Sequence, residues 1–306
     1  MLHIPHTDLD VHPLYLGGNS FGWTADADQS FAVLDAYAAA GGNLIDTADV
    51  YSEWAPGNHG GESETIIGEW MQRRGNRDQF IIATKVAKLS TRRGLSRANI
   101  NAALEDSLRR LQTDHVDIYF AHEDDQTVPL EDTLQAFAEV IAAGKVRYIA
   151  ASQYTAPRLA EALRVSRELG VPAYIGLQTQ YNLMDRGFEG ELQQVCVDEG
   201  IVCFPFFGLA RGFLSGKYQQ GVSVESARAR GVLADYDSER GWTMVSVLGG
   251  IAARHGVPHS AVALEWLRRQ PGVSAPLASA RTPQQVAELV TPVKLTDEDV
   301  QLLSAL

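Results

Sequence analysis

Asp46, Tyr51, Lys85 and His122 are four residues whose types together can move a proton. Asp46 and Tyr51 share the stretch Asn43-Leu44-Ile45-Asp46-Thr47-Ala48-Asp49-Val50-Tyr51, five residues apart. Lys85 closes the apolar run Phe80-Ile81-Ile82-Ala83-Thr84-Lys85, and His122 closes Val116-Asp117-Ile118-Tyr119-Phe120-Ala121-His122. A free phenol, with a pKa of about 10, is a poor acid at neutral pH, but a nearby ammonium stabilises the phenolate and is expected to lower that value. Lys85 supplies the ammonium. Burial would strip Lys85 of its own proton, and Asp46 as counter-ion would keep it charged. An imidazole at His122 would orient a carbonyl oxygen or relay a proton. Each residue also has an ordinary reading: a strand-end Asp capping a loop, a half-exposed Tyr, a snorkelling Lys, a satisfied polar His. Four coincidences at strand ends argue for a site.

These residues must be carried by elements that bring strand ends to one rim. Leu14 to Leu16 reads as a first strand after a polar lead-in able to form a small hairpin, with the loop Gly17-Gly18-Asn19-Ser20-Phe21-Gly22 behind it. Asp28 is expected to cap the next helix, closed by Gly41-Gly42. Helical spacing then recurs from Ser63 to Gly75, from Ser96 through Ile100, Leu104, Leu108 and Leu111, over Leu130 to Ala143, Pro157 to Leu169, Glu189 to Glu199, Trp242 to His255 and Ser260 to Arg269. Apolar strands fall between them, ending at Asp46, Lys85, His122, Ser152, Gln178, Phe206 and Ala278. Short helices near Pro283 to Leu289 and Thr296 to Leu306 finish the chain, and Gln219 to Gly241 is the longest irregular excursion. Eight buried strands alternating with helices predict an α/β fold, a (β/α)8 TIM barrel in a single domain over residues 1–306, with its reactive face at the carboxyl ends of the strands. A doubly wound open sheet is the competitor, but no Gly-x-Gly-x-x-Gly follows any strand. Gly212-Phe213-Leu214-Ser215-Gly216-Lys217 is no P-loop, because its glycines are too close and Tyr218 stands where Ser or Thr is needed.

Composition narrows the field further. A net charge of −12 over 306 residues argues against a nucleic-acid or anionic-membrane surface. Cys196 and Cys203 are the only cysteines and lack C-x-x-C spacing, so neither a disulfide nor a metal framework is expected. With no apolar leader and no run of about 18 apolar residues, a cytoplasmic location is the default.

The motif Ile45-Asp46-Thr47-Ala48-x-x-Tyr51, with Ala83-Thr84-Lys85 and His122, resembles the aldo-keto reductase family, and the resemblance extends over nearly the whole chain. It implies an NADPH-dependent reduction of aldehyde or ketone carbonyls, with NADH as the alternative cofactor, in which Asp46, Tyr51, Lys85 and His122 form a catalytic tetrad and Tyr51 is the general acid. It also implies an extended cofactor across the barrel mouth. Gly18 and Asn19 would border it. Ser152, Gln153 (where the family has Asn) and Gln178 would hold the carboxamide, and Phe206 would stack under the nicotinamide. Phe207, Gly208, Leu209, Arg211 and Lys217 would wrap the pyrophosphate, with Phe207 and Gly208 replacing the familiar Ser and Pro. Arg281, Gln285 and Glu288 would meet the adenosine half, Arg281 pairing with a 2′-phosphate. Trp23, Trp54 and Tyr154, with Trp242, are candidates for an aromatic substrate pocket, and Glu123, Asp124 and Asp125 would disfavour anionic substrates. The rivals are a nucleotide-loaded regulatory subunit with little turnover and a lyase or isomerase using Lys85 as a Schiff base. Substrate, direction and oligomeric state stay open.

Overall fold

The computed structural model describes residues 1–222, 224 and 229–306. Two short strands, β1 (Leu2–His3) and β2 (Asp10–Val11), pair antiparallel, as the polar lead-in suggests. Eight more form one parallel sheet: β3 (Tyr15–Gly17), β4 (Leu44–Asp46), β5 (Ile81–Val86), β6 (Val116–Ala121), β7 (Val146–Ser152), β8 (Tyr174–Gln180), β9 (Val202–Phe206) and β10 (Leu277–Ala278). They run β10-β3-β4-β5-β6-β7-β8-β9. Val273 bridges Cys203 of β9, with Ser274 N–H donating to the Cys203 carbonyl at 2.9 Å, so the segment entering β10 brings the two edges together. The result is the (β/α)8 barrel.

The intervening helices are α1 (Ala27–Ala39), α2 (Glu62–Arg74), α3 (Arg97–Leu111), α4 (Leu130–Ala142), α5 (Ala156–Leu169), α6 (Glu191–Asp198), α7 (Ala229–Tyr236), α8 (Glu239–His255), α9 (His259–Arg268), α10 (Pro283–Leu289) and α11 (Asp297–Ser304). Two local expectations change. Asp26, not Asp28, caps α1: it is extended and accepts from Gln29 N–H, while Gln29 closes the capping box, leaving Asp28 in the first turn. The excursion after Gln219 is partly helical, since α7 and the first turn of α8 fall inside it, and its residues 223 and 225–228 lie outside the described residues.

Strand alternation sorts the core. Ile45, Ile82, Tyr119 and Ile149 point outward into the layer beneath the helices, whereas Leu44, Ala83, Ile118, Phe120 and Ala150 point inward. Ile4, Leu9 and Val11 of the amino-terminal hairpin join the inward set and cover one end of the barrel. The same parity turns Asp46, Lys85 and His122 inward at the other end.

Candidate active site

Lys85 is the hub. Its side chain is fully buried, and its Nζ lies 2.6 Å from Asp46 Oδ1 while donating to the Thr47 carbonyl at 2.8 Å and to Tyr51 Oη at 2.9 Å. Tyr51 Oη donates to Asp46 Oδ2 at 2.8 Å. The other carboxylate oxygen of Asp46 accepts from Gln178 Nε2 at 2.7 Å. Three strands thus hold one buried ion pair with a phenol bonded to both partners. The His122 ring lies 6.0 Å from the Tyr51 ring, and its main chain is fixed by N–H donation to Val86 O at 2.9 Å.

Electrostatics here departs from the sequence expectation for Tyr51. Burial and the neighbouring Asp46 carboxylate hold the phenol well above the ordinary tyrosine range, despite the adjacent ammonium. Burial pulls Lys85 below the usual lysine range, opposed by Asp46, Asp49 and Glu64. His122 is held well below the usual histidine range by burial and by Lys85 and Lys88, so the imidazole is neutral. Its buried Nδ1 has no hydrogen-bond partner.

Around this centre Ser152 is buried at the end of β7 and Gln178 two residues before the end of β8, and Gln153 is exposed with φ 58°, its Nε2 donating to the His122 carbonyl at 3.2 Å. That left-handed backbone suits Asn better than Gln, which gives the Asn-to-Gln difference a conformational cost. Gly18 is buried, and a Cβ there would meet Ser63 Oγ at 2.7 Å and the Asp46 carbonyl at 2.9 Å. Its role is close packing against Asp46, while Asn19 and Ser20 face an adjoining cavity.

That cavity, about 490 Å³, lies between the loop after β9 and α10. Asn19, Phe207, Gly208, Leu209, Arg211, Lys217, Arg281, Gln285 and Glu288 all line it. Three of these nine are cationic in a chain of net charge −12. Phe207, Ala210 and Arg211 all have positive φ, at 54°, 47° and 55°, so the loop is strained at three non-glycine positions. Arg211 packs its guanidinium 5.4 Å from the Phe207 ring and pairs with Asp235 of α7 at 2.7 Å. Arg281 N–H donates to Gln285 Oε1 at 2.8 Å, one residue before the α10 cap Thr282.

A family model described as the aldo/keto reductase family matches residues 13–306. The chain belongs to the aldo/keto reductase family. Among its relatives, Protein tas of Escherichia coli is 35% identical over 97% of this chain and 94% of that one. An aryl-alcohol dehydrogenase [NADP(+)] of Phanerodontia chrysosporium is 31% identical over 78% of this chain and 65% of that one. Norsolorinic acid reductase B of Aspergillus parasiticus is 28% identical over 98% and 81%. This member is accordingly an NAD(P)H-dependent oxidoreductase of a family acting on small carbonyl compounds. Among the described residues, no helix is long and apolar enough to cross a membrane.

The aromatic candidates of this reductase separate. Trp23 stacks edge-on against Trp54 at 5.7 Å, and Trp54, 48% exposed, lies 6.1 Å from the Tyr51 ring. Tyr154 does not join them: it is buried in the core with its ring edge-on to Tyr174 at 5.6 Å and its hydroxyl 3.2 Å from that of Tyr174. Trp242 packs on Phe213 and donates to Asp237 at 2.7 Å. Of the acidic run after His122, Asp124 pairs with Arg158 at 3.0 Å and Glu123 faces Lys88 at 3.5 Å, while Asp125 keeps its charge and accepts from Leu95 N–H. Ser20, Thr24, Ser260 and Ser279, which the sequence does not single out, also line the cavity. Ser260 is buried at the start of α9 with its Oγ unpartnered. Isolated serines far apart in the chain carry no spacing signal.

Proposed function

We propose that this protein reduces aryl aldehydes or ketones with NADPH, using Tyr51 as the acid that protonates the carbonyl oxygen. The observation behind this reading is the bonded set Asp46–Lys85–Tyr51 beside a neutral His122, with the Trp23–Trp54 pair next to the Tyr51 ring. Residues of the cavity fit a phosphorylated dinucleotide: Arg211 and Lys217 for the pyrophosphate, Arg281 for the 2′-phosphate, Gln285 and Glu288 for the adenosine, with the unpartnered Ser260 Oγ as a further donor. Ser152, Gln153 and Gln178 are the amide and hydroxyl groups for the nicotinamide end, and Phe206 its stacking partner. The bound cofactor supplies the hydride.

The protein's own part is proton transfer. A phenol held this high is a weak acid toward water but a sufficient one toward an alkoxide, a far stronger base. As the carbonyl oxygen gains negative charge, the Tyr51 O–H bond breaks and the substrate O–H bond forms. The phenolate that results already accepts a hydrogen bond from the Lys85 ammonium, which neutralises it without moving. Asp46 keeps that ammonium charged. Neutral His122 orients the substrate oxygen rather than donating a full proton. A flat aromatic substituent then rests against Trp54 and Trp23.

Replacement of Tyr51 by Phe tests the assignment. Turnover of benzaldehyde-type substrates should fall by about a thousandfold, with NADPH affinity by fluorescence titration unchanged. Near-normal turnover in that variant would overturn it. Arg281→Ala should weaken NADPH binding by roughly tenfold or more and leave NADH binding nearly unaffected, as expected for loss of a charge-assisted contact. Equal losses for both cofactors would remove Arg281 from the 2′-phosphate. The absence of turnover with any carbonyl, together with tight cofactor retention, would favour a regulatory subunit instead.

A further inference from the structure

The stretch from Asn43 to Tyr51 contains a second carboxyl that the mechanism above does not use. Asp49 lies between Asp46 and Tyr51, is fully buried, and both of its carboxyl oxygens lack a hydrogen-bond partner. Buried acids are ordinarily bonded or paired, so an unpartnered one three residues from Asp46 and two from Tyr51 calls for a physical account. Its main chain is joined to the hub of the site, since Asp49 N–H donates to the Lys85 carbonyl at 3.3 Å.

The groups facing it come from five directions. Glu64 of α2 is fully buried, accepts from Thr84 Oγ1 at 2.5 Å, and is ion-paired with Arg110 of α3 at 2.6 Å. Arg92, from the loop after β5, gives its terminal nitrogen to Asp106 at 2.7 Å. Tyr119 of β6 donates its hydroxyl to the Ile100 carbonyl at 3.2 Å. Lys85 of β5 is engaged by Asp46, Thr47 and Tyr51. Both arginines near Asp49 pair with other carboxylates, Arg92 leaving its buried Nε without a partner, and no cation is bonded to Asp49.

We propose that Asp49 is a positioning residue for proton transfer: a buried, unbonded carboxyl that acts through space on the Lys85 ammonium and so sets the upper pH limit at which Tyr51 serves as the acid. Burial and the Glu64 carboxylate push the Asp49 carboxyl up to about 8, so at neutral pH it is uncharged and its lack of partners is tolerable. As pH rises past that point, Asp49 ionises and adds a negative charge in the loop whose main chain bonds to that of Lys85, on which Asp46, Asp49 and Glu64 all act in the same sense. The new charge opposes loss of the lysine proton in the pH range where burial would otherwise remove it. The inference rests on the tetrad reading of Lys85 and Tyr51.

Two measurements on the full-length protein with NADPH test it. The first compares the pH dependence of kcat for wild type and Asp49→Asn, a near-isosteric change that cannot ionise. The alkaline limb of the variant should move down by about one pH unit, so the ratio of kcat at about pH 9.5 to that at about pH 6.5 falls roughly tenfold. A merely structural role would scale the whole profile and leave the limb in place, and an unmoved limb overturns the proposal. The second reads the wild-type protein alone and stands even if the variant does not fold. Infrared difference spectra should show a protonated carboxyl band that disappears with a midpoint near pH 8, well above ordinary carboxyls. No such band overturns the proposal as well. Failure of the tetrad reading is separable, because it appears as retained turnover in Tyr51→Phe, whatever Asp49 does.

Discussion

At the level of single residues, charge state is decided by burial more than by neighbours. The sequence argument gives Tyr51 a lowered pKa because an ammonium is near, yet the phenol also bonds to Asp46 and loses water, and those two effects prevail. His122 follows the same rule. A buried imidazole beside Lys85 stays neutral, so kcat should show no acidic limb near the ordinary histidine value of about 6.5; a limb there that vanishes in His122→Ala would contradict the neutral assignment. Asp49 carries a stability consequence with a definite sign. Its native pKa is raised above that of the unfolded chain, so between about pH 4 and about pH 8 the unfolded state ionises while the native state does not, and stability drains as pH rises through that window. Asp49→Asn should therefore raise the melting temperature at about pH 8 and change it little at about pH 4. A lower melting temperature at both values would mean that the carboxyl makes a contact not seen here.

Among the elements, close approach matters where a sequence pattern cannot show it. Gly68 sits inside α2, where an exposed helical glycine would be improved by alanine by about 1 kcal/mol. In this fold a Cβ at Gly68 would meet the Arg110 carbonyl of α3 at 2.3 Å, so Gly68→Ala should instead destabilise by roughly 1–3 kcal/mol, as overpacked contacts do, visible as a lower urea midpoint. An unchanged or higher midpoint would show that the α2–α3 contact yields. Helix identities and the strand ends were legible because the apolar spacing is regular and each helix closes near a glycine or cap. The caps themselves were less so: Asp26 and Asp28 are chemically alike, and only the backbone angles select which one can reach Gln29 N–H. The left-handed run at Phe207, Ala210 and Arg211 is equally invisible in residue types that do not favour it.

For the molecule as a whole, the charge distribution opposes the net charge. A chain at −12 gathers Arg211, Lys217 and Arg281 at one cavity, the place proposed above for a phosphorylated cofactor, with Arg211 paired to Asp235 and Glu288 also in the lining. Raising sodium chloride from about 20 to about 500 mM shortens the screening length several-fold. NADPH affinity should weaken more steeply than NADH affinity across that range, measured by fluorescence titration. Parallel slopes for the two would place the 2′-phosphate away from these cations. Barrel closure is also a property of the whole chain. Strand β10 pairs with β3, and the residues leading into it bridge β9, so the amino- and carboxyl-terminal parts complete one wall.

The order of apolar strands and amphipathic helices was enough to give the barrel, and the types at the strand ends were enough to name Asp46, Tyr51, Lys85 and His122 as a group, because alternation along a strand and the shared carboxyl rim are local rules that repeat. Tertiary structure alone decided which side chains lose water and which find partners. It put Tyr154 in the core and Trp54 at the mouth, gave Asp46 to Gln178 as well as to Lys85, gathered scattered serines into one cavity, and left Asp49 buried without a bond. Those outcomes depend on contacts between segments far apart in the chain, and neither period nor composition records such contacts.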